Sequence, residues 1–302
     1  MMSSQGRSAV NHPAMDHPAM DHPAVDYPAI VLVPYGSSYP QALATYNKIQ
    51  AAYKREFPGS PVRLAFTSQL MIKRLNEKEE IVIPSPLAAL AQLRDLGHRK
   101  AVVQALQIVP GEEFHQMASL VKGLKGIGTK SGFDRLELGL PLLAGLEDCQ
   151  RVSSLLPAFL KRAAPNGPDT EDHPDPESEA IVLVGHGTGH PADCLYSLMG
   201  SVLHKDHHNV FLGTLDGFPG ILDVISELNA SGAKKVKMLP FLLVSGGHAM
   251  KDLAGVAPDS WKTKLQESGF QVEVQLQPLG EQEEIVSIFL EHTKNALKRI
   301  EI

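Results

Sequence analysis

The chain repeats one pattern of strands and helices, and this duplication constrains its fold more than any other feature. The segment Ala-Ile-Val-Leu-Val-Pro-Tyr-Gly-Ser-Ser-Tyr-Pro (29–40) aligns with Ala-Ile-Val-Leu-Val-Gly-His-Gly-Thr-Gly-His-Pro (180–191), and Gly111 further along aligns with Gly246. In both halves, apolar runs typical of buried strands alternate with segments of helical periodicity. Such alternation favours mainly parallel sheets with right-handed crossovers. We therefore predict an α/β fold of two similar domains, each a mainly parallel sheet flanked by helices, with a cleft between them.

The expected domain boundaries follow from changes in composition along the chain. Residues 1–28 contain repeats of the type His-Pro-Ala-Met-Asp, whose regularly spaced prolines forbid a helix, so we expect a disordered tail. The first domain is predicted over 29–163 and the second over 179–302, with a polar, proline-rich linker at 164–178. The last predicted helix, 281–300, either belongs to the second domain alone or packs on the first as well.

Composition narrows the classes of protein that the chain can belong to. A hydrophobic content of 43% and a charged content of 21% are typical of a globular protein. The net charge of -6 gives no support to a nucleic-acid partner and means that an anionic substrate needs a local basic patch. Two cysteines are too few for a disulfide framework, which favours a reducing, cytoplasmic location. We expect no secretory signal and no membrane span.

Three potential metal ligands follow three different apolar strands of the second half. His186 lies in Gly-His-Gly after the run 180–184, Asp216 follows a strand near 210–214, and His248 follows one near 235–241. Ligands of open parallel sheets bind at the carboxyl ends of the strands, so we expect these side chains to share one cleft. Two imidazoles and a carboxylate suit a divalent first-row ion such as Co²⁺, Fe²⁺, Ni²⁺ or Zn²⁺.

Each of these residues also allows a purely structural interpretation. His186 could cap the following helix, Asp216 could be the N-cap of a helix from about residue 218, and His248 could be an ordinary loop histidine. The duplication places Tyr35 at the position of His186 and Glu113 at the position of His248. The first half therefore also presents polar groups to the cleft. The residue chemistry alone predicts a metal-dependent α/β protein with a site between duplicated halves.

Other polar residues are open to both a functional and a structural interpretation. The tail histidines form either a weak metal-collecting arm or part of a solvated extension without a role; they are His12, His17 and His22. The basic pair Lys73-Arg74 either meets substrate carboxylates or lies on a solvated helix face.

Six short motifs occur together here and in one known family. They are Ala-Phe-Thr-Ser (65–68), Val-Pro-Gly-Glu-Glu-Phe (109–114), Gly-His-Gly (185–187), Gly-Thr-Leu-Asp-Gly-Phe-Pro (213–219), Leu-Pro-Phe-Leu-Leu-Val-Ser-Gly-Gly-His-Ala-Met-Lys-Asp (239–252) and Asp-Ser-Trp-Lys (259–262). Through them the chain resembles the anaerobic sirohydrochlorin cobaltochelatases over residues 29–300. The resemblance implies two chelatase-type domains and insertion of Co²⁺ into sirohydrochlorin on the anaerobic cobalamin route.

The resemblance also implies roles for individual residues. His186 and His248 match the two metal-site histidines of the family, and Glu113 matches a carboxylate of the first half. Asp216 stands where the family usually has a glutamate, which is one methylene longer. Gln107 stands where relatives can carry a histidine.

The expected chemistry follows from these matches. Metal entry displaces two pyrrole protons, and His186 is the expected base because a neutral imidazole accepts a proton near pH 7. The expected metal ligands are His186, Asp216 and His248, while Glu113 assists proton removal or orients the ring. Substrate binding is assigned to the turn that matches the His186 turn; its residues are Tyr35, Ser37 and Ser38.

Two other functions remain open at this point. The first is insertion of iron to give sirohaem, which uses the same ligand types. In either case the ring substrate is sirohydrochlorin or its reduced precursor. The second alternative function is a carrier that binds a metal or a tetrapyrrole without catalysis. The tail histidines favour this alternative weakly. The expected partners are a sirohydrochlorin-type tetrapyrrole, a divalent metal ion and a second copy of the chain, with no organic cofactor, nucleic acid or membrane.

Overall fold

The computed structural model describes residues 27–79, 81–128, 130–163, 179–247 and 249–301. Residues 1–26 of the predicted tail, with their three histidines, lie outside the described residues. The predicted linker 164–178 and the predicted metal ligand His248 lie outside them as well.

The first half consists of four strands and five helices within the described residues. In chain order they are β1 (Ala29–Val33), α1 (Pro40–Glu56), β2 (Val62–Leu64), α2 (Gln69–Glu79), α3 (Pro86–Asp95), β3 (Lys100–Ala105), α4 (Glu112–Lys125), β4 (Arg135–Gly139) and α5 (Leu146–Ala163).

The second half repeats the alternation of strands and helices, with one helix instead of two between its second and third strands, and has three short helices within the described residues. Its main elements are β5 (Glu179–Gly185), α6 (Cys194–Asp206), β6 (Val210–Thr214), α7 (Ile221–Ser231), β7 (Lys235–Pro240), α8 (Trp261–Glu267), β8 (Gln271–Val274) and α9 (Glu283–Glu301). The short helices are 3-10 turns at Pro191–Asp193 and Leu279–Glu281 and a π-helix at Ala249–Leu253.

Each half contains one four-stranded parallel sheet, and the two sheets have matching strand orders. The first order is β2-β1-β3-β4 and the second is β6-β5-β7-β8. In the first sheet Ile30 pairs with Val62 on one side and Val102 on the other, so β1 is central. In the second sheet Val182 of β5 takes the same central place, between Phe211 and Met238. The predicted α/β architecture of two similar parallel sheets is confirmed.

Alternate residues of the central strands explain how the two sheets are joined. Ile30 and Leu32 of β1 and Leu183 of β5 face one apolar core that they share with α1, α5, α6 and α9. The intervening residues face separate outer cores. Val31 packs with α3 and α4, whereas Val182 packs with α7 and α8. Because both faces of each central strand are covered, the strands read as continuous apolar runs.

Two helices cross between the halves. The last helix, α9, packs against β3 and β4 of the first sheet, and α5 packs against α6 of the second half. Buried polar contacts fix α9 in place: Thr293 donates to Gln104 Oε1 at 2.8 Å and lies 3.1 Å from the Tyr53 hydroxyl. These crossings hold the carboxyl ends of the two sheets in a fixed relation around the cleft.

None of the helices in the described ranges is long and apolar enough to cross a membrane.

Candidate active-site cleft

A cleft of about 860 Å³ lies where the loops at the carboxyl ends of both sheets meet. Loops after β1 and β3 line it from the first half, and loops after β5, β6 and β7 line it from the second. The described residues that the sequence predicts for the site all line this cleft; they are Tyr35, Ser37, Ser38, Glu113, His186 and Asp216.

The turn that carries His186 needs a glycine on each side for a different reason. A side chain at Gly185 would clash with the Tyr196 ring, since its Cβ would lie 2.5 Å from a ring carbon. Gly187 has φ +80°, and a Cβ there would lie 2.5 Å from the backbone nitrogen of Gly217. The two glycines let the His186 turn pack backbone to backbone on the loop that carries Asp216.

His186 and Asp216 lie side by side in the cleft. The Nδ1 atom of His186 is 3.8 Å from Oδ2 of Asp216, with the two side chains 44% and 67% exposed. The same Nδ1 is 3.1 Å from the carbonyl oxygen of Gly187. Because a carbonyl oxygen only accepts, this contact requires a proton on Nδ1 and leaves the ring lone pair on Nε2. That tautomer can accept a proton or bind a metal through Nε2.

The proposed capping roles of these two residues are wrong. The helix after Asp216 begins at Ile221, not at about residue 218, and its N-cap Gly220 donates its N–H to Asp223 at 2.8 Å. The helix after His186 is capped by His190, whose Nδ1 accepts the N–H of Ala192 at 3.1 Å. Neither site residue is therefore the N-cap of the helix that follows it.

Asp193 is a structural residue of the site that the sequence reasoning missed. Its Oδ1 accepts the N–H of Thr188 at 2.9 Å, and its Oδ2 accepts the N–H of Phe218 at 2.8 Å. Thr188 follows the His186 turn and Phe218 follows Asp216, so one carboxylate ties the two loops together. A Cβ at Gly217 would lie 2.3 Å from Asp193 Oδ1, which explains the glycine beside Asp216.

The first half builds its turn in a related way. Gly36 has φ +110°, and a Cβ there would lie 2.5 Å from the ring of Phe66. The hydroxyl of Tyr46 hydrogen bonds to the backbone of Gly36, as that of Tyr196 does to Gly187, and burial raises the pKa of both phenols. Neither tyrosine can therefore act as a base near neutral pH.

The two halves meet through a pair of equivalent contacts. A Cβ at Gly246 would lie 3.2 Å from the Ser37 hydroxyl, and one at Gly111 would lie 3.7 Å from the Thr188 hydroxyl. Gly111 aligns with Gly246 and Ser37 aligns with Thr188, so the contacts are related by the duplication. The same Gly111 position is 3.8 Å from Oε2 of Glu113. Glu113 of the first half thus lies beside the turn that follows His186.

Gln107, which replaces a histidine of some relatives, supports the cleft wall. Its Nε2 donates to the carbonyl oxygen of Val33 at 2.9 Å and holds the end of β1. Its Oε1 is buried and has no hydrogen-bond partner within the described ranges. Gln107 therefore acts as a donor to the backbone in this fold.

The described part of the chain holds no group of three histidine, cysteine or carboxylate side chains spaced for a metal ion. Two of the three predicted ligands, His186 and Asp216, are described and adjacent, while His248 lies outside the described residues.

Arg74, on α2, is exposed and lines the cleft, so both interpretations of the Lys73-Arg74 pair stay open. Lys251 and Asp252 of the π-helix line it too, and the sequence reasoning gave them no role. In the sequence, only their place at the end of the motif 239–252 indicates that Lys251 and Asp252 could belong to the site.

Comparisons with known proteins identify the family of the chain. The cobalt chelatase (CbiK) family matches residues 28–298. The sirohydrochlorin cobaltochelatase CbiKC of Nitratidesulfovibrio vulgaris (strain Hildenborough) is 34% identical over 272 residues, which cover 90% of this chain and 91% of that protein. The sirohydrochlorin cobaltochelatase of Salmonella typhimurium is 29% identical over 272 residues, or 89% of this chain and 96% of that protein.

A solved structure with the same fold is the sirohydrochlorin chelatase SirB from Bacillus subtilis subspecies spizizenii in complex with cobalt. It has a TM-score of 0.59 at 14% identity, covering 91% of this chain and 97% of that chain, and this likeness concerns the fold alone. The family match extends over both halves and the cleft between them. The chain therefore belongs to the cobalt chelatase (CbiK) family.

Proposed function

We propose that this protein inserts Co²⁺ into sirohydrochlorin, or its reduced precursor, with release of two protons in anaerobic cobalamin biosynthesis. The observation that carries the proposal is the pair His186 and Asp216, 3.8 Å apart in a cleft shared by both halves. Membership of the cobalt chelatase family and two relatives named sirohydrochlorin cobaltochelatase support the choice of metal and ring.

The size of the cleft supports a large flat substrate. Its volume of about 860 Å³ lies toward the upper end of the range usual for small-molecule sites. Tyr35 is 52% exposed within it and offers a ring face and a hydroxyl, whereas Ser37 and Ser38 offer hydroxyls from the same turn. We assign these three residues to binding of the ring.

Proton removal is assigned to groups on the two sides of the cleft. Each pyrrole N–H must lose its proton as Co²⁺ takes its place, so two protons leave for every metal inserted. The Nε2 lone pair of His186 accepts one of them once the ion has left the imidazole for the ring, and the solvent-accessible side chain passes this proton to water. Glu113, which lines the same cleft from the first half, assists the second removal or orients the ring.

The substrate metal is assigned to His186, Asp216 and His248. Two imidazoles and one carboxylate bind first-row ions well but leave open coordination positions. A site with few protein ligands releases its ion readily, which a metal on its way into a ring requires. Asp216 is shorter than the glutamate usual in relatives, and its 67% exposure leaves room for water between carboxylate and metal.

The experiment that tests these assignments is an anaerobic absorbance assay of metal insertion. Initial rates are measured for the wild type, His186→Ala and the control His208→Ala, whose imidazole lies on an exposed loop away from the cleft. We expect a loss of about a hundredfold or more for His186→Ala and none for the control. Equal rates for all three proteins would exclude His186 as the base.

Parallel assays with Fe²⁺ distinguish cobalt insertion from the iron alternative. A higher kcat/KM for Co²⁺ than for Fe²⁺ is expected, and the reverse preference would assign the protein to sirohaem synthesis.

The proposal also covers the location, the oligomeric state and the cofactor requirement of the protein. Cys149 and Cys194 are both free thiols, which is consistent with a reducing, cytoplasmic location. We propose a homo-oligomer and no organic cofactor.

A further inference from the structure

Two basic side chains line the cleft, one from each half of the molecule. Arg74 lies on α2 of the first half, and Lys251 lies on the π-helix of the second. Both residues are exposed, so their charged groups reach solvent inside the cleft. The cleft therefore offers positive charge from two separate elements.

Neither cation is held by an ion pair within the described part of the chain, unlike several other basic residues. Lys73, next to Arg74 on α2, pairs with Glu77 at 3.8 Å along the helix surface. Arg99, Lys125 and Arg151 likewise pair with carboxylates outside the cleft. Within the described ranges, by contrast, no ion pair joins Arg74 or Lys251 to a carboxylate. Long basic side chains without an acidic partner are available to a ligand.

An anionic ligand needs these cations because the cleft and the whole chain are otherwise negatively charged. The chain carries a net charge of -6, and Glu113, Asp216 and Asp252 line the same cleft. An anion entering this cleft is repelled unless local cations compensate. Arg74 and Lys251 are the lysine or arginine residues that line it in the described part of the chain.

We propose that Arg74 and Lys251 each bind a peripheral carboxylate of the tetrapyrrole and thereby select rings that carry acidic side chains. This inference rests on the function proposed above and adds to it the residues that recognise the substrate class. The guanidinium of Arg74 can hold a carboxylate through two parallel N–H···O bonds, whereas the Lys251 ammonium acts as a point charge. Attachment from both halves holds the ring across the cleft that His186 also lines.

The test measures binding without turnover. Metal-free sirohydrochlorin is titrated into the full-length protein under anaerobic conditions, and its absorbance change gives Kd for the wild type, Arg74→Gln and Lys251→Gln. The matched control is Lys73→Gln, which removes the same charge one residue away on α2 but outside the cleft lining. Each cleft variant is expected to raise Kd about tenfold, and the control by less than about twofold.

Two further measurements distinguish a loss of carboxylate binding from a structural disturbance caused by the substitutions. Arg74→Lys and Lys251→Arg keep the charge and are expected to restore much of the affinity. Added salt is expected to weaken wild-type binding more than binding by the double Gln variant, because screening acts on charges that the variant lacks.

The outcomes separate this inference from the proposed function. If the wild type binds sirohydrochlorin while Arg74→Gln and Lys251→Gln match Lys73→Gln, the carboxylate contacts are wrong and the chelatase proposal stands. If the fully esterified ring binds the wild type as tightly as the free acid, the carboxylate contacts are also wrong. A wild type that does not bind sirohydrochlorin at all overturns both.

Discussion

The Oδ1 atom of Asp193 accepts the backbone N–H of Thr188 at 2.9 Å, two residues beyond His186. Its second oxygen accepts the N–H of Phe218, two residues beyond Asp216. A single carboxylate thus sets the distance between the two loops that present the proposed base and metal ligand. It touches neither substrate nor metal in this account, and it acts by positioning.

Replacing Asp193 should therefore impair the reaction more than the fold. Asp193→Ala is expected to lower kcat by about tenfold to a hundredfold, since small displacements of reacting groups have effects of this size. Asp193→Asn keeps one acceptor oxygen and should recover part of the rate.

Asp223→Ala is the matched control, because Asp223 also accepts a backbone N–H, at 2.8 Å from Gly220, but lies outside the cleft lining. It should cost about 1 kcal/mol of stability and leave kcat unchanged. Equal kcat losses in Asp193→Ala and Asp223→Ala would show that the Asp193 contact has no special role.

A second prediction concerns the packing of the His186 turn. Gly187→Ala combines an unfavourable φ of +80° with a Cβ placed 2.5 Å from the Gly217 nitrogen, so the two loops must separate. Gly232→Ala is the control, since Gly232 has φ +79° and nothing within 4 Å of the added Cβ.

We expect Gly232→Ala to cost about 1 kcal/mol of unfolding free energy and to keep full activity. Gly187→Ala should cost about 2–3 kcal/mol more and abolish metal insertion. Chemical denaturation and the insertion assay measure the two effects. Wild-type activity in Gly187→Ala would contradict the close contact between the loops.

The third prediction concerns the pH dependence of stability. Asp148 lies in the first turn of α5, partly buried against His292 of α9, and this burial alone raises its pKa. Hydrogen bonds from His292 at 3.2 Å and from the Ala144 N–H at 2.9 Å outweigh burial and hold the pKa of Asp148 below its ordinary value. The carboxylate is therefore more acidic in the folded than in the unfolded chain. It stabilises the fold at pH values above the unfolded pKa of about 3.9, and this contribution is lost as pH falls through the lower folded pKa.

Asp148→Asn should remove this contribution. At pH 7 the variant is expected to be about 2 kcal/mol less stable than the wild type, because the carboxylate that accepts hydrogen bonds from His292 and Ala144 is replaced. The difference should shrink as pH falls below about 4. Urea unfolding across this pH range measures it, with the exposed neighbour Glu147→Gln as control. A difference that does not change with pH would exclude the linkage.

The architecture could be predicted from the sequence because the duplication is strong at the central strands. The runs 29–33 and 180–184 are buried on both faces, apart from the partly buried Ile181, and therefore consist of apolar residues. Because ligands bind at the carboxyl ends of parallel strands, the sequence also predicts that His186 and Asp216 share one cleft. Both inferences depend on local pattern plus the general geometry of parallel sheets.

The features that were missed depend on contacts distant in sequence. The third strand, β3, ends at Ala105, although the apolar residues continue beyond it: Leu106, Ile108 and Val109 are buried in a loop. A continuous apolar run cannot distinguish a strand from a buried loop.

The role of Asp193 was missed because it depends on a contact between residues that are distant in sequence. Its carboxylate contacts a residue 25 positions away, at Phe218, while its position at Pro191–Asp193 indicates only an acidic first helical turn. The cleft position of Arg74 likewise depends on how α2 packs.

The central claim is that the protein is a catalyst of cobalt insertion, and the turnover number tests it most directly. Sirohydrochlorin and Co²⁺ are supplied in large excess over limiting wild-type protein under anaerobic conditions, and the cobalt product is counted by its absorbance. The account predicts many product molecules for each chain and a rate proportional to protein concentration. Formation that stops at one product for each chain, or that does not exceed the protein-free rate, would contradict it.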